Sequence, residues 1–304
     1  MKEPIPSINR PTGYHEILYT YNTRNHDRLR AQLHGLVQGS DYAIAITGSD
    51  GRYEKSQELS PVELILITSN TNSDLSQVYN LQNTLGFDKT FESKELGVDN
   101  PLFFLGDRNI VYPSRVFDAE FLIGNEDMFE EYIMRAGDEI NAGDSKRYLR
   151  HAKKTSKRAR RDLREGNTSA KHTTFPCVDM NTGQLFYDPA NYVKATKNGF
   201  LRSVQYKISH EITAAVADGR IHPEKIVDMP TNLTQRLHYF HHNNDVSINE
   251  RELADIVHAY QHALYWHHLS EEQFKQGKKT FVDVNTLTEV ANIIESFASN
   301  PLLR

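Results

Sequence analysis

The densest chemistry in this sequence lies between residues 42 and 67. An apolar strand, Tyr42 to Thr47, runs into Gly48-Ser49-Asp50-Gly51-Arg52, and a second apolar segment begins at Val62. A Gly-Ser turn that leaves a strand offers backbone N–H groups to an anion, the geometry of a phosphate nest at a helix start. Ser49 adds a hydroxyl and Arg52 a guanidinium fork, both suited to a triphosphate; the blander reading is a tight turn with a surface arginine. Glu63 stands at the start of the second strand, in Val-Glu-Leu-Ile-Leu-Ile. Strand side chains alternate faces, so carboxylates at 61 and 63 would point the same way and hold Mg²⁺ against a triphosphate. Residue 61 is proline, which leaves Glu63 alone. A charge inside so apolar a run is costly to bury without a task, and metal binding is one; a capping or salt-bridging glutamate is the other reading.

The stretch GSDGRYEKSQELSPVELILI resembles the nucleotidyltransferase superfamily pattern: Gly-Ser, roughly ten residues, then Asp, an apolar residue, Asp or Glu, and another apolar residue. Residues 118–132, DAEFLIGNEDMFEEY, look like the helix that follows the last catalytic-domain strand in bacterial signal-protein uridylyltransferases. Residues 188–212 are similar to that family's N-x-K-x-x-x-G-G-L-R-D segment, with Asn191, Lys194, Gly199, Leu201, Arg202 and Gln205 at matching positions. Cyclic-nucleotide-associated nucleotidyltransferase domains share this plan. The resemblance implies an α/β, mixed-sheet nucleotidyltransferase-fold domain over residues 1–135 and an all-α, bundle-like domain over 136–304. It implies transfer of a nucleoside monophosphate from an NTP, with Mg²⁺, onto a protein or small-molecule acceptor. Gly48, Ser49, Arg52 and Lys194 would bind the nucleotide, and Glu63 and Asp107 would hold the metal and carry catalysis. Strict matching puts Asn109 at the third carboxylate position, with Asp107 two residues away. Asp107 reads equally well as a turn residue of Leu-Gly-Asp-Arg.

Pro61 divides two readings. Either a neighbour (Asp50, Glu54 or Glu58) replaces the missing carboxylate, or catalysis is lost and the domain serves as a nucleotide-, RNA- or protein-binding module. Asp118 and Glu120 read as acids at a helix N-terminus.

The surrounding elements follow from periodicity. Residues 1–13 read as an arm broken by Pro4, Pro6 and Pro11, and residues 14–38 as an amphipathic helix with Leu29, Leu33, Leu36 and Val37 on one face. Strands are expected at 42–47 and 62–68, a helix from Asp74, and short strands at 101–105 and 110–112. From Asp118 the pattern turns helical through Phe121, Leu122, Met128, Phe129, Tyr132 and Ile133.

Composition sets outer limits. The chain has 304 residues, a net charge of -5 and a mean hydropathy of -0.61, with no apolar run near membrane-spanning length. Membrane insertion is therefore not expected, and a cytoplasmic location is, whether in the producing cell or delivered to a host. A single Cys177 allows no internal disulfide. Between Lys146 and Arg164 ten basic residues stand against Asp162 alone, which marks either a solvated helix face or a site for an anionic partner. His258 and His262 are one helical turn apart, but without a third ligand the spacing favours helix packing beside Tyr260, Leu264 and Trp266 over a metal. Base, acceptor, oligomeric state and pathway stay open.

Overall fold

The computed structural model describes residues 13–34, 42–56, 62–68, 89–92, 116–142, 150, 153–154, 157, 177–178, 185–187, 196–243, 245–276, 280–281 and 284–303. They form a mixed α/β part and a helical part. The chain divides into two interleaved units, one of residues 16–153 and 209–242, the other of 1–15, 154–208 and 243–304. The chain thus leaves the sheet unit after residue 153 and returns to it at residue 209.

In the sheet unit, α1 (Tyr14–His34) buries Leu18, Asn22, His26, Leu29 and Leu33 along one stripe. Three- and four-residue steps bring these positions onto one face. Two of the five are polar, so this face must meet hydrogen-bonding partners as well as apolar ones.

Strand β1 (Tyr42–Thr47) is buried along its whole length. It is one of the two inner strands of a sheet ordered β3-β2-β1-β4, with β2 at Glu63–Thr68, β3 at Lys89–Glu92 and β4 at Glu120–Gly124. β1 runs antiparallel to β2 and β4, whereas β2 and β3 are parallel. Tyr42, Ile44, Ile46, Leu64, Leu66 and Leu122 form a core with Leu29 and Leu33 of α1. The alternate positions Ala43, Ala45, Ile65 and Ile67 are buried too, and α3 (Glu126–Ala142) packs against β1, β2 and β4. A sheet covered on both faces explains why its strands read as continuous apolar runs.

Two elements differ from the sequence expectation. Residues 120–124 extend as β4 along β1 and do not begin a helix; the helix starts only after Asn125, whose side-chain oxygen accepts the Met128 N–H at 3.1 Å. Strand β3 was not expected at all. The helix from Asp74 and the strands at 101–105 and 110–112 lie outside the described residues.

The helical unit is built on α7 (Glu250–Lys275) and α8 (Val284–Ser299), with a π-helix at Thr196–Leu201 leading into α4 (Arg202–Ala217). Asn249 and Glu252 cap α7 reciprocally: each side chain accepts the other's N–H, at 3.0 and 2.9 Å. Trp266, Tyr260, Leu253, Ile256 and Ile294 are buried, and Phe200 meets Trp266 edge-on. A small antiparallel sheet of β5 (Cys177–Val178), β6 (Leu185–Tyr187) and β7 (Thr280–Phe281) belongs to the same unit. Among the described residues no helix is long and apolar enough to cross a membrane.

Candidate functional site

The Gly-Ser segment forms α2 (Gly48–Gly51), a single turn entered directly from β1. Gly48 has φ +72°, and a Cβ on Gly51 would lie 2.1 Å from the Asp118 carbonyl oxygen and 2.8 Å from that of Ile46. Only glycine lets the two backbones meet this closely. Tyr53 follows with φ +58°, an uncommon conformation for a bulky residue. Its surroundings hold it there. The ring stacks on Tyr19 at 4.7 Å, lies 4.6 Å from the His26 ring, and its hydroxyl donates to Glu120 Oε1 at 2.9 Å.

Around this turn the charges close on themselves. Arg52 donates from Nε to Glu54 at 2.8 Å and from a terminal nitrogen to Asp118 Oδ2 at 2.8 Å. Arg236, in α6 (Leu233–His242), which follows the short α5 (Glu224–Val227), donates to Asp118 Oδ1 at 3.0 Å and to the carbonyls of Phe117 and Pro230 at 2.6 and 2.7 Å. Lys55 pairs with Asp50 at 3.2 Å. Three cations (Arg52, Lys55, Arg236) therefore balance three carboxylates (Asp50, Glu54, Asp118). These side chains are 12% exposed at most, with Arg236 at 2%. Burial lowers the Arg236 pKa, and the contact with Asp118 opposes that shift. Thr231 donates to Glu120 Oε2 at 3.0 Å, and the Asn232 amide donates to the Arg52 carbonyl at 2.8 Å.

The polar stripe of α1 completes the turn's hydrogen bonds. Asn22 donates to the carbonyls of Leu18 and Lys55 at 2.8 and 3.1 Å. His26 Nε2 donates to the Asp50 carbonyl at 3.2 Å. Burial, then the Arg30 charge, push the His26 pKa down to about 4, so its imidazole is neutral at physiological pH.

Gly48, Ser49 and Arg52 stand together, with Ser49 half-buried and Arg52 engaged by two carboxylates. Glu63 begins β2 directly opposite Thr47, at the end of β1 from which the Gly-Ser turn departs. Asp107, Lys194, Pro61 and Glu58 lie outside the described residues. Asp118 and Glu120 are not helix N-terminal acids: Asp118 is the hub of the ion-pair network, and Glu120 opens β4.

Two carboxylates of the turn, Asp50 and Glu54, fit Mg²⁺ poorly. Asp50 and Glu54, the candidate replacements for a ligand at 61, already hold cationic side chains, and a divalent ion would have to displace them. Among the described residues no group of three or more His, Cys, Asp and Glu is arranged to hold a metal. His262 is buried with its ring 5.2 Å from that of Trp266.

Thr231, Asn232 and Arg236 were not singled out from the sequence. The available signal was Arg236 itself, since Leu233, Leu237 and Phe240 set an apolar helical stripe and Arg236 falls on it. No protein-family model matches this chain, and no curated protein matches it either.

Proposed function

We propose that this chain is a nucleotidyltransferase-like protein that acts as a binding module without nucleotide transfer. One observation carries the reading: the ionisable side chains from Asp50 to Lys55, where the resemblance would place triphosphate and metal, are consumed in a buried, charge-balanced network. Buried charges left without partners are strongly destabilising, so such a network resists being opened for a ligand. The partner we favour is anionic and meets the stretch Lys146–Arg164, in which Arg150, Lys153, Lys154 and Lys157 are exposed.

A second reading is Mg²⁺-dependent transfer from an NTP to a protein or small molecule, with Glu63 and Asp107 as the metal carboxylates. The register of Glu63 opposite Thr47 favours it, because it sets an acidic residue beside the Gly-Ser turn. Label transfer from each α-³²P-NTP with Mg²⁺ separates the two. The binding reading expects no labelled acceptor in lysate, no gain with Pro61→Asp, and polyanion retention that falls with salt and is lost when Lys153, Lys154 and Lys157 become Glu. Label transfer by the parent that disappears in Glu63→Gln overturns it.

A further inference from the structure

Helix α6 buries Leu233, Arg236, Leu237 and Phe240, while His238 and His242 are exposed. Four residues apart, they lie one above the other on the helix surface, with ring centroids 6.5 Å apart. His242 Nδ1 lies 2.7 Å from the His238 carbonyl oxygen. A carbonyl only accepts, so Nδ1 carries a proton and Nε2 is the nitrogen left to ligate a metal. Both residues occupy the last two turns of α6, where the helix dipole favours a cation.

We propose that His238 and His242 form a bidentate surface site for a divalent transition-metal ion of the imidazole-preferring class (Cu²⁺, Ni²⁺ or Zn²⁺), with water completing the coordination. Ligand bonds of about 2 Å require the two Nε2 atoms to approach within about 3 Å, a rotation open to exposed side chains. His258 and His262 share the spacing but not the freedom, because His262 is buried against Trp266. A bound ion staples the last turns of the helix whose first turns carry Arg236 and follow Asn232. It therefore stabilises the folded sheet unit by mass action.

The test is calorimetry and thermal unfolding of the untagged full chain with Cu²⁺, Ni²⁺, Zn²⁺ and Mg²⁺. Cu²⁺ is expected to bind most tightly, as the order of divalent affinities requires, and Mg²⁺ not at all. His238→Ala and His242→Ala should each weaken Cu²⁺ at this site by at least about 10-fold, the scale on which even outer-sphere partners act. Both should also abolish the Cu²⁺-dependent rise in melting temperature, whereas His241→Ala and His258→Ala should behave as the parent does. Circular dichroism confirms that each variant is folded before titration. Unchanged Cu²⁺ binding in His238→Ala or His242→Ala overturns the proposal, as does an equal loss in His241→Ala.

Discussion

The turn network of the sheet unit and the histidine-rich face of α7 both bury ionisable groups, and they solve the cost in opposite ways. Around Asp118 each carboxylate is cross-paired with cationic side chains. On α7 the charged forms are suppressed instead. Tyr14 lies 2.5 Å from His268 Nδ1, with its hydroxyl pKa pushed up by burial. His267, 3.4 Å from Glu271, is held well below the usual histidine pKa by burial and by His268, Lys197 and Arg202. Burial raises Glu271 against the pull of Lys197 and Lys275. Substitutions should therefore hurt more in the paired network than in the neutral cluster. A paired charge that loses its partner is stranded in low dielectric, whereas a neutral group that loses a hydrogen bond is only unsatisfied.

The largest effect should come from the backbone approach beneath the paired network. Gly51→Ala places a methyl group on the Asp118 carbonyl, and we expect a loss of about 4 kcal/mol or more, or no folded protein, by urea unfolding. Arg236→Met leaves Asp118 with Arg52 alone and should cost about 3–5 kcal/mol; a midpoint unchanged from the parent would show that the network contributes little.

Acid should discriminate next. His26 titrates near 4 when folded and near 6.5 when unfolded, so between those values the unfolded chain binds the proton that the folded chain refuses. Its contribution is whole above pH 6.5 and is lost as the pH falls toward 4, on the order of 3 kcal/mol in all. His26→Gln should flatten the unfolding midpoint against pH across that window, and an unchanged slope would remove His26 from the account. In the neutral cluster, Tyr14→Phe should cost only about 1 kcal/mol, the worth of one hydrogen bond. The exposed pair Glu131–Arg135 marks the floor, with Arg135→Ala costing about 0.5 kcal/mol or less. If Tyr14→Phe proved as damaging as Arg236→Met, the contrast between paired and neutral burial would collapse.

Much of the sheet unit was legible because its signals are local. Helix α1, strands β1 and β2 and the glycine turn follow from apolar period and turn chemistry within short windows. β4 was missed because Glu-Phe-Leu-Ile-Gly is too short for periodicity to separate strand from helix, and its pairing with β1 is remote in sequence. The site was only half legible for the same reason. Arg52 and Glu54 stand two residues apart, but Asp118 lies 66 residues beyond Arg52 and Arg236 a further 118. Nothing local in Gly48–Lys55 announces that its arginine is committed to such distant partners.

The return of residues 209–242 to the sheet unit sets a timetable for synthesis. Arg236 leaves the ribosome 118 residues after Asp118, which at about 5–20 residues per second is a wait of roughly 6–24 s. Through that interval the nascent sheet holds Asp118 with one arginine in place of two, and its carboxylates outnumber the cations placed to meet them. A nascent chain stalled near residue 160 should therefore be cut readily by protease at the Gly48–Lys55 turn, and one stalled well beyond residue 242 should resist. For this protein, the order in which the lock is written is also the order in which it becomes safe from degradation.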